Sequence, residues 1–379
     1  MNNVNYVIGS EMVCSKPLQP YSDVACAFIA ALSDALLKDA EAKKYPDIVS
    51  LGFWCRKANL SVKKNNWEKR NEKRLGRGLV FHIAPSNVPI NFAFSYIFSL
   101  LAGNSNIVRL PSKDFPQVSI ICRVLKDVMK QYSEIEKRTV FVKYPADNEI
   151  TEYFSLQADA RVIWGGDETV ANIRKCQTRP RCIDVVFADR YSICVLSGKM
   201  VEETDSAGIK KLAEAFYNDT YLMDQNACSS PQLILWKDVS DKAKQLFWNA
   251  VSECAKAKYM LQPMSGVDKY MKLCVDAIEL PEIKAERQIG NLVYRVELQE
   301  LPKEITELRG TCGYFYEYAI SGYEELDIVL TEKVQTVTYF GIDPMELQDF
   351  VIEHQIRGID RIVPMGKALD IDVIWDGYD

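Results

Sequence analysis

The sequence predicts an α/β protein: a doubly wound parallel sheet plus a second α/β domain. Two observations carry this reading. From residue 79 onward, short continuous apolar runs alternate with helical stretches of 10–15 residues that are apolar at three- and four-residue spacing. The runs are uninterrupted rather than alternating apolar and polar, as strands buried on both faces of a parallel sheet require. In order, strands are expected at 79–84, 107–110, 140–144, 161–164, 185–187 and 192–196, with helices at 89–101, 115–131, 149–157 and 168–176 between them. The rhythm continues with a helix at 209–218, a strand at 232–236 and a helix at 241–257. It closes with strands at 334–340, 361–364 and 372–375 and a helix at 344–354. Residues 1–78 are polar and mixed, with a helical stretch at 25–42, and read as an N-terminal helical cap. The expected division is 1–78, then 79–205 joined by 341–379, then 206–340.

Composition narrows the function classes. The 379 residues are 48% apolar and 26% charged, ordinary values for a globular protein, and exceed what one small core needs. No run of about 18 apolar residues is present, so no membrane span is expected. The first ten residues lack the basic start and apolar core of a secretory signal. The net charge of −6 argues against broad binding to nucleic acid or anionic membranes. Eleven scattered cysteines, an odd number with no C-x-x-C pair, suit a reducing cytoplasm. Only two histidines occur, His82 and His354, so a histidine-based metal site is not expected. His82 reads equally as a satisfied core residue or a base, and His354 as structural.

Neither G-x-G-x-x-G nor G-x-x-x-x-G-K-[ST] occurs, but four other segments could carry chemistry. Ile83-Ala84-Pro85-Ser86-Asn87-Val88-Pro89-Ile90 follows a strand and opens a helix, with Pro89 suited to its first position. Asn87 is either the helix cap or a donor to a developing oxyanion. Val108-Arg109-Leu110-Pro111-Ser112-Lys113-Asp114 ends a strand in a cation. Ser112 or Asp114 caps a helix there, or Arg109 and Ser112 bind a ribose or phosphate. Trp164-Gly165-Gly166-Asp167-Glu168 lets backbone approach a pyrophosphate at a helix start, although its two carboxylates oppose that. Finally, Asp224-Gln225-Asn226-Ala227-Cys228-Ser229-Ser230-Pro231 sets one cysteine among small and polar residues in a loop, unlike the other ten, most of which sit in apolar periodic runs. Cys228 is a candidate nucleophile or an unreactive loop cysteine.

Taken in order, P-x-N-x-P, G-N-x-x-x-[KR]-x-P-S, a glycine turn before a helix and Q-x-x-C resemble the aldehyde dehydrogenase superfamily. More narrowly, the chain resembles the LuxC-type acyl-CoA reductases, the fatty-acyl reductases of bacterial luminescence operons and their relatives. Gly358-Ile359-Asp360-Arg361-Ile362-Val363-Pro364-Met365-Gly366, closing on Trp375-Asp376-Gly377, carries the narrower likeness, which spans most of 79–379.

The resemblance implies an aldehyde-dehydrogenase-like fold, with a nicotinamide-cofactor domain at 79–205 plus 341–379 and a catalytic domain at 206–340. It implies reduction of an acyl-CoA or acyl-carrier-protein thioester to an aldehyde. Cys228 would attack the carbonyl and Asn87 would stabilise the oxyanion with the Cys228 backbone N–H. Ser86, Arg109, Ser112, Trp164, Gly165 and Gly166 form the implied cofactor-binding set. Arg109 favours NADPH, with NADH as the alternative, because a cation suits a 2′-phosphate. An acyl-transferring synthetase partner and a homo-oligomer follow by analogy only. The E-L-G-G turn, whose Glu activates water in oxidising relatives, has no counterpart at Val186-Phe187-Ala188-Asp189-Arg190-Tyr191-Ser192. That disfavours hydrolysis and suits a reductase, though an acyltransferase or thioesterase without redox activity, or a silent family member, also fits it.

Overall fold

The expected apolar runs form the strands of two sheets in a computed structural model that describes residues 3–378. The chain divides into two compact units, Met1–Ala188 and Asp189–Asp379. In the first unit the strands are β1 (Asn5–Ile8), β2 (Leu79–Ile83), β3 (Ser105–Arg109), β4 (Thr139–Lys143), β5 (Ala160–Trp164) and β6 (Ile183–Phe187). Their spatial order is β1-β4-β3-β2-β5-β6. Every neighbouring pair from β4 to β6 is parallel, and β1 joins the edge antiparallel to β4. The chain therefore winds outward from β2 through β3 to β4, then returns to place β5 on the other side of β2. This is the doubly wound arrangement, whose switch point lies between β2 and β5.

Residues before 79 are part of this unit rather than a separate cap. Their strand extends the sheet, and helix Asp23–Lys38 packs on helix Pro116–Met129. Phe28, Ile29, Leu32 and Leu36 recur at helical spacing and are buried.

The second unit holds β7 (Tyr191–Ser197), β8 (Leu233–Lys237), β9 (Ile283–Ile289), β10 (Val293–Leu298), β11 (Tyr314–Ile320), β12 (Val334–Phe340) and β13 (Arg361–Pro364). They run in the order β13-β12-β7-β8-β11-β10-β9, and only β9 pairs antiparallel. Alternate residues of one strand feed two cores. Tyr191, Ile193, Val195, Leu233 and Leu235 face one, while Cys194, Leu196, Ile234 and Trp236 face the other. Burial on both faces explains the uninterrupted apolarity of β7 and β8.

Three boundaries differ from expectation. Residues 341–379, expected with the first unit, belong to the second, because β13 hydrogen-bonds to β12 rather than to any strand of the first sheet. The first helix after β2 begins at Asn91, since Pro89 and Ile90 form a turn ahead of it. The segment expected as a strand at 372–375 is instead irregular and leads into a tight turn bridged between Trp375 and Tyr378. Asp376 and Gly377 there take φ of +52° and +78°, which a strand does not accommodate.

Candidate active site

The carboxyl ends of β2, β3 and β5 are neighbours at the switch point, where open α/β sheets place their ligands. Ser86 follows β2 and Ser112 follows β3, and their hydroxyls meet at 3.0 Å. Arg109 ends β3 with its guanidinium 4.5 Å over the Tyr144 ring, so its charge is held in place while half exposed. Asn87 is exposed, and Ile90 rather than Asn87 occupies the helix cap. The capping role is thereby removed, and the Asn87 amide remains available to a ligand.

After β5, the Gly165 N–H donates to the Phe187 carbonyl at 3.1 Å. Gly166 caps helix Asp167–Arg174, and a side chain there would meet open space. Gly165 lies against the Thr169 side chain, where a Cβ would come within 2.9 Å, and Asp167 and Glu168 stand in the helix's first turn. The Trp164 side chain is turned inward, stacked on Phe187 at 3.9 Å with its indole N–H donating to Ser95 Oγ at 3.2 Å.

That serine resolves the ambiguity of His82. His82 is fully buried between Ser95 Oγ at 2.7 Å and Asn106 Oδ1 at 2.9 Å. Asn106 Nδ2 donates elsewhere, so its oxygen accepts from His82 Nε2–H and His82 Nδ1 accepts the serine hydroxyl. Burial pulls the imidazole down to about 4, so it is a neutral core residue and not a base. His354 sits just past helix Pro344–Glu353, against Phe350 and Asp327.

In the second unit, Cys228 lies on the loop entering β8. Gln225 shapes this loop from a left-handed backbone with φ of +62°. Its buried amide donates to the Pro231 and Tyr314 carbonyls at 3.1 and 2.9 Å, and its oxygen accepts from the Gly313 and Tyr314 amides. The Cys228 carbonyl accepts from Ser192 Oγ at 2.7 Å. The thiol is therefore presented by a backbone fixed at both ends. Burial pushes that thiol up to about 11; the Asp376 carboxylate adds to the rise, while a Gln335 hydrogen bond and the Arg190 charge oppose it. In this state Cys228 is a neutral thiol at physiological pH.

Four residues around it were not singled out by sequence reasoning. Arg190 pairs with Asp360 and, at 3.2 Å through Nε, with Asp376, and it donates to the Gly358 carbonyl at 2.7 Å. Gln335 donates to Asp376 at 2.8 Å. Asp360 and Asp376 carried only part of a family likeness, and Gln335 is an ordinary polar residue in a strand. No linear signal marks their convergence.

Asp219 ties the same region together. Its carboxylate accepts the Gly366 and Ala368 amides at 2.6 and 2.9 Å, and its carbonyl accepts from Ser230 Oγ at 2.7 Å. The C-terminal run and the Cys228 loop thus share one anchor. Burial raises Asp219 to about 7. An unfolded Asp releases its proton near 4, so between about pH 4 and 7 the native state holds the extra proton. Stability contributed here falls as pH rises through that window. Asp219→Asn should lose stability overall, because one amide donor loses its acceptor, yet show a flatter dependence by roughly 1–2 kcal/mol between pH 5 and 7. Urea midpoints at both pH values check this, and an unchanged slope refutes it.

Comparison with known proteins follows this geometry. A model of the LuxC acyl-CoA reductase family matches residues 59–272, more than half of the chain, including the Asn87 turn and the Cys228 loop. The chain belongs to the LuxC acyl-CoA reductase family. This LuxC-family chain is 28% identical over 162 residues to a long-chain acyl-protein thioester reductase of Vibrio harveyi. That alignment takes in 42% of this chain and 32% of the relative, so the match spans about a third of the relative's length.

The fold is that of the aldehyde dehydrogenases. An NAD-dependent benzaldehyde dehydrogenase from Corynebacterium glutamicum superposes with a TM-score of 0.61 at 14% identity, covering 92% of this chain and 82% of that one. Aldehyde dehydrogenase 21 from Physcomitrella patens gives 0.60 at 10% identity, covering 98% and 91%. A Thermus 1-pyrroline-5-carboxylate dehydrogenase with bound NAD gives 0.61 at 11%, covering 95% and 76%. Among the described residues, no helix is long and apolar enough to cross a membrane, and no group of three or more His, Cys, Asp or Glu is placed to hold a metal ion.

Proposed function

We propose that this LuxC-family chain reduces an acyl thioester, carried on CoA or an acyl-carrier protein, to an aldehyde through an acyl-Cys228 intermediate. The observation that carries the reading is the family match across 59–272, which includes every candidate site residue from Ser86 to Cys228. The Vibrio harveyi relative, by its name, acts on long-chain acyl-protein thioesters, which supports the carrier-protein alternative here.

The residues at the first unit's switch point fit a nicotinamide dinucleotide. The Ser86 and Ser112 hydroxyls and the Arg109 guanidinium offer donors suited to a ribose and its 2′-phosphate, and the Gly165-Gly166 turn, open at Gly166, lets a pyrophosphate approach the helix start. Trp164 contributes by packing behind that turn. The bound cofactor, NADPH in preference to NADH, supplies hydride. Residues 3–188 accordingly serve as the cofactor-binding part and 189–378 as the part that carries the nucleophile.

At Cys228, sulfur attacks the thioester carbonyl, and the carbonyl π electrons move to oxygen. Collapse expels the carrier thiolate, which takes up the proton that Cys228 released, so the exchange is balanced. Asn87 acts as an amide donor to the oxyanion, an effect worth about 3–4 kcal/mol for such a donor in other enzymes. The absence of a water-activating Glu turn leaves the acyl-enzyme to await reduction rather than hydrolysis. The chain acts in the cytoplasm, where an acyl-transferring synthetase or a second copy of the chain are the natural partners.

The test mixes the protein with NADPH or NADH and acyl-CoAs of graded length, following loss of reduced-cofactor absorbance and mapping acyl adducts by peptide mass spectrometry. The expected result is cofactor oxidation with an adduct on Cys228, faster with NADPH. Acylation without cofactor oxidation means acyl transfer or hydrolysis instead. Neither signal with any acyl chain overturns the proposal.

A further inference from the structure

The cations of this chain are unevenly spread. Residues 56–77 hold nine Lys and Arg against two carboxylates, Glu68 and Glu72, in a chain whose net charge is −6. The rest of the chain is therefore strongly acidic. The basic stretch comprises helix Lys57–Glu68 and the segment that leads into β2. Buried Leu60 anchors that helix, which packs on helix Asp23–Lys38. Gathering like charges costs self-repulsion, which a merely solvated face has no reason to bear.

Aromatic rings run beneath the charges. The Arg56 guanidinium lies 3.7 Å over the Phe53 ring, and Lys63 Nζ 5.2 Å over Trp54. Arg70 and Arg74 lie 5.4 and 5.8 Å from the Trp67 ring. Lys63 and Trp67 are one helical turn apart, so these side chains form a continuous line along one face. A ring orients a cation without cancelling its charge. Lys57, Lys69 and Lys73 are exposed, and no carboxylate pairs with them among the described residues. Phe53, Val62 and Leu75 stand exposed among the cations. Arginine beside aromatic and exposed apolar side chains is the composition of a protein-binding surface.

The line also borders the switch-point site. Trp54 packs on Phe94 and Phe98 at 6.1 and 5.0 Å. Phe94 stands in the first turn of helix Asn91–Leu101, the helix that follows the Ser86-Asn87 turn.

We propose that this surface docks an acidic protein that carries the acyl group as a thioester. Carboxylates of the carrier meet the cations of helix Lys57–Glu68 and the segment after it, while Phe53, Val62 and Leu75 supply apolar contact. Length favours a protein over a nucleotide. Lys57 and Lys69 bracket a helix about 18 Å long, farther than one phosphate group reaches and suited to an acidic helix laid alongside. Nucleic acid is disfavoured, because the acidic remainder of the chain repels a long phosphate backbone. The identity of the cargo rests on the reductase reading, whereas docking is measured without turnover.

The experiment titrates a fluorescently labelled acyl-carrier protein with the full chain and follows anisotropy, then compares palmitoyl-carrier protein with palmitoyl-CoA as substrates. Lys57→Glu, Lys69→Glu and Lys73→Glu combined should weaken carrier binding about tenfold or more. KM for the palmitoyl-carrier should rise with kcat unchanged, and KM for palmitoyl-CoA should not change. The same reversals at exposed Lys130, Lys199 and Lys211 should alter none of these quantities. Raising salt from about 0.05 to 0.3 M should weaken binding by the parent and shrink its advantage over the variant. If the reversals lower the thermal midpoint, the milder Lys57→Gln, Lys69→Gln and Lys73→Gln combination should still weaken binding. No carrier binding by the parent, unchanged affinity in the variants, or equal loss in the control reversals overturns the proposal. An equal rise in KM for palmitoyl-CoA also overturns it, since the cations would then hold the CoA phosphates. Displacement of the carrier by a single-stranded oligonucleotide that binds more tightly does the same. Carrier binding that depends on these lysines, without cofactor oxidation from either substrate, upholds the docking and counts against the reductase reading alone.

Discussion

Cys228→Ala is expected to abolish the acyl adduct and to cut reduction of acyl thioesters by on the order of 10⁴-fold or more, the scale of losing a covalent nucleophile. The effect should be confined to chemistry. The Cys228 carbonyl, not its side chain, accepts from Ser192, and the loop is braced by Gln225 through four backbone partners. An alanine keeps both, so the thermal midpoint should move by no more than a few degrees. Cofactor affinity should persist too, since the residues assigned to the cofactor lie in the first unit. Titration of NADPH fluorescence separates these quantities. Residual activity within tenfold of the parent protein would exclude Cys228 as the nucleophile.

The second large effect is on stability. Glu317, in the middle of β11, is fully buried and accepts from the Trp236 and Trp248 indole N–H groups at 2.9 and 3.0 Å and from Arg295 at 3.1 Å. Two tryptophan indole N–H groups and one guanidinium N–H of Arg295 therefore share one carboxylate. Glu317→Ala leaves two buried donors and a guanidinium without an acceptor, together with a cavity. The expected cost is about 3–5 kcal/mol, the scale for breaking a buried ion pair from one side. Much of that is the penalty of stranding the partners rather than the worth of the pair. Glu317→Leu combined with Arg295→Leu should therefore recover a substantial part of the loss. Urea unfolding of the single and double variants tests this, and a single-variant loss below about 1 kcal/mol would show that water satisfies the stranded groups.

How far the sequence disclosed this molecule depended on how local each signal was. β2, β4, β7 and β8 were legible because each carries an apolar run whose burial on both faces leaves a mark in composition. The turns around Ser86, Ser112 and Gly166 were legible for a similar reason: proline, serine and glycine punctuate strand ends. The stretch from 263 to 320 was not, since β9 is an exposed edge strand and β11 carries Glu317 inside an otherwise apolar segment. Residues 341–379 were placed with the wrong sheet because pairing partners are set by hydrogen bonding across the chain, and periodicity does not encode them. The surroundings of Cys228 were the least legible. Arg190, Gln335, Asp360 and Asp376 converge from positions up to 186 residues apart, and no linear motif joins them.

The raised pKa of the half-buried Cys228 thiol has a consequence for survival in an oxidising burst. Peroxides attack thiolates, and sulfenic acid forms first where a cysteine is both exposed and anionic. A cysteine held as a thiol presents little of that anion, so on the proposed reading of Cys228 as the nucleophile the resting protein is protected where its reaction would need it most. Damage should fall instead on exposed Cys274, whose modification touches no group assigned to the reaction.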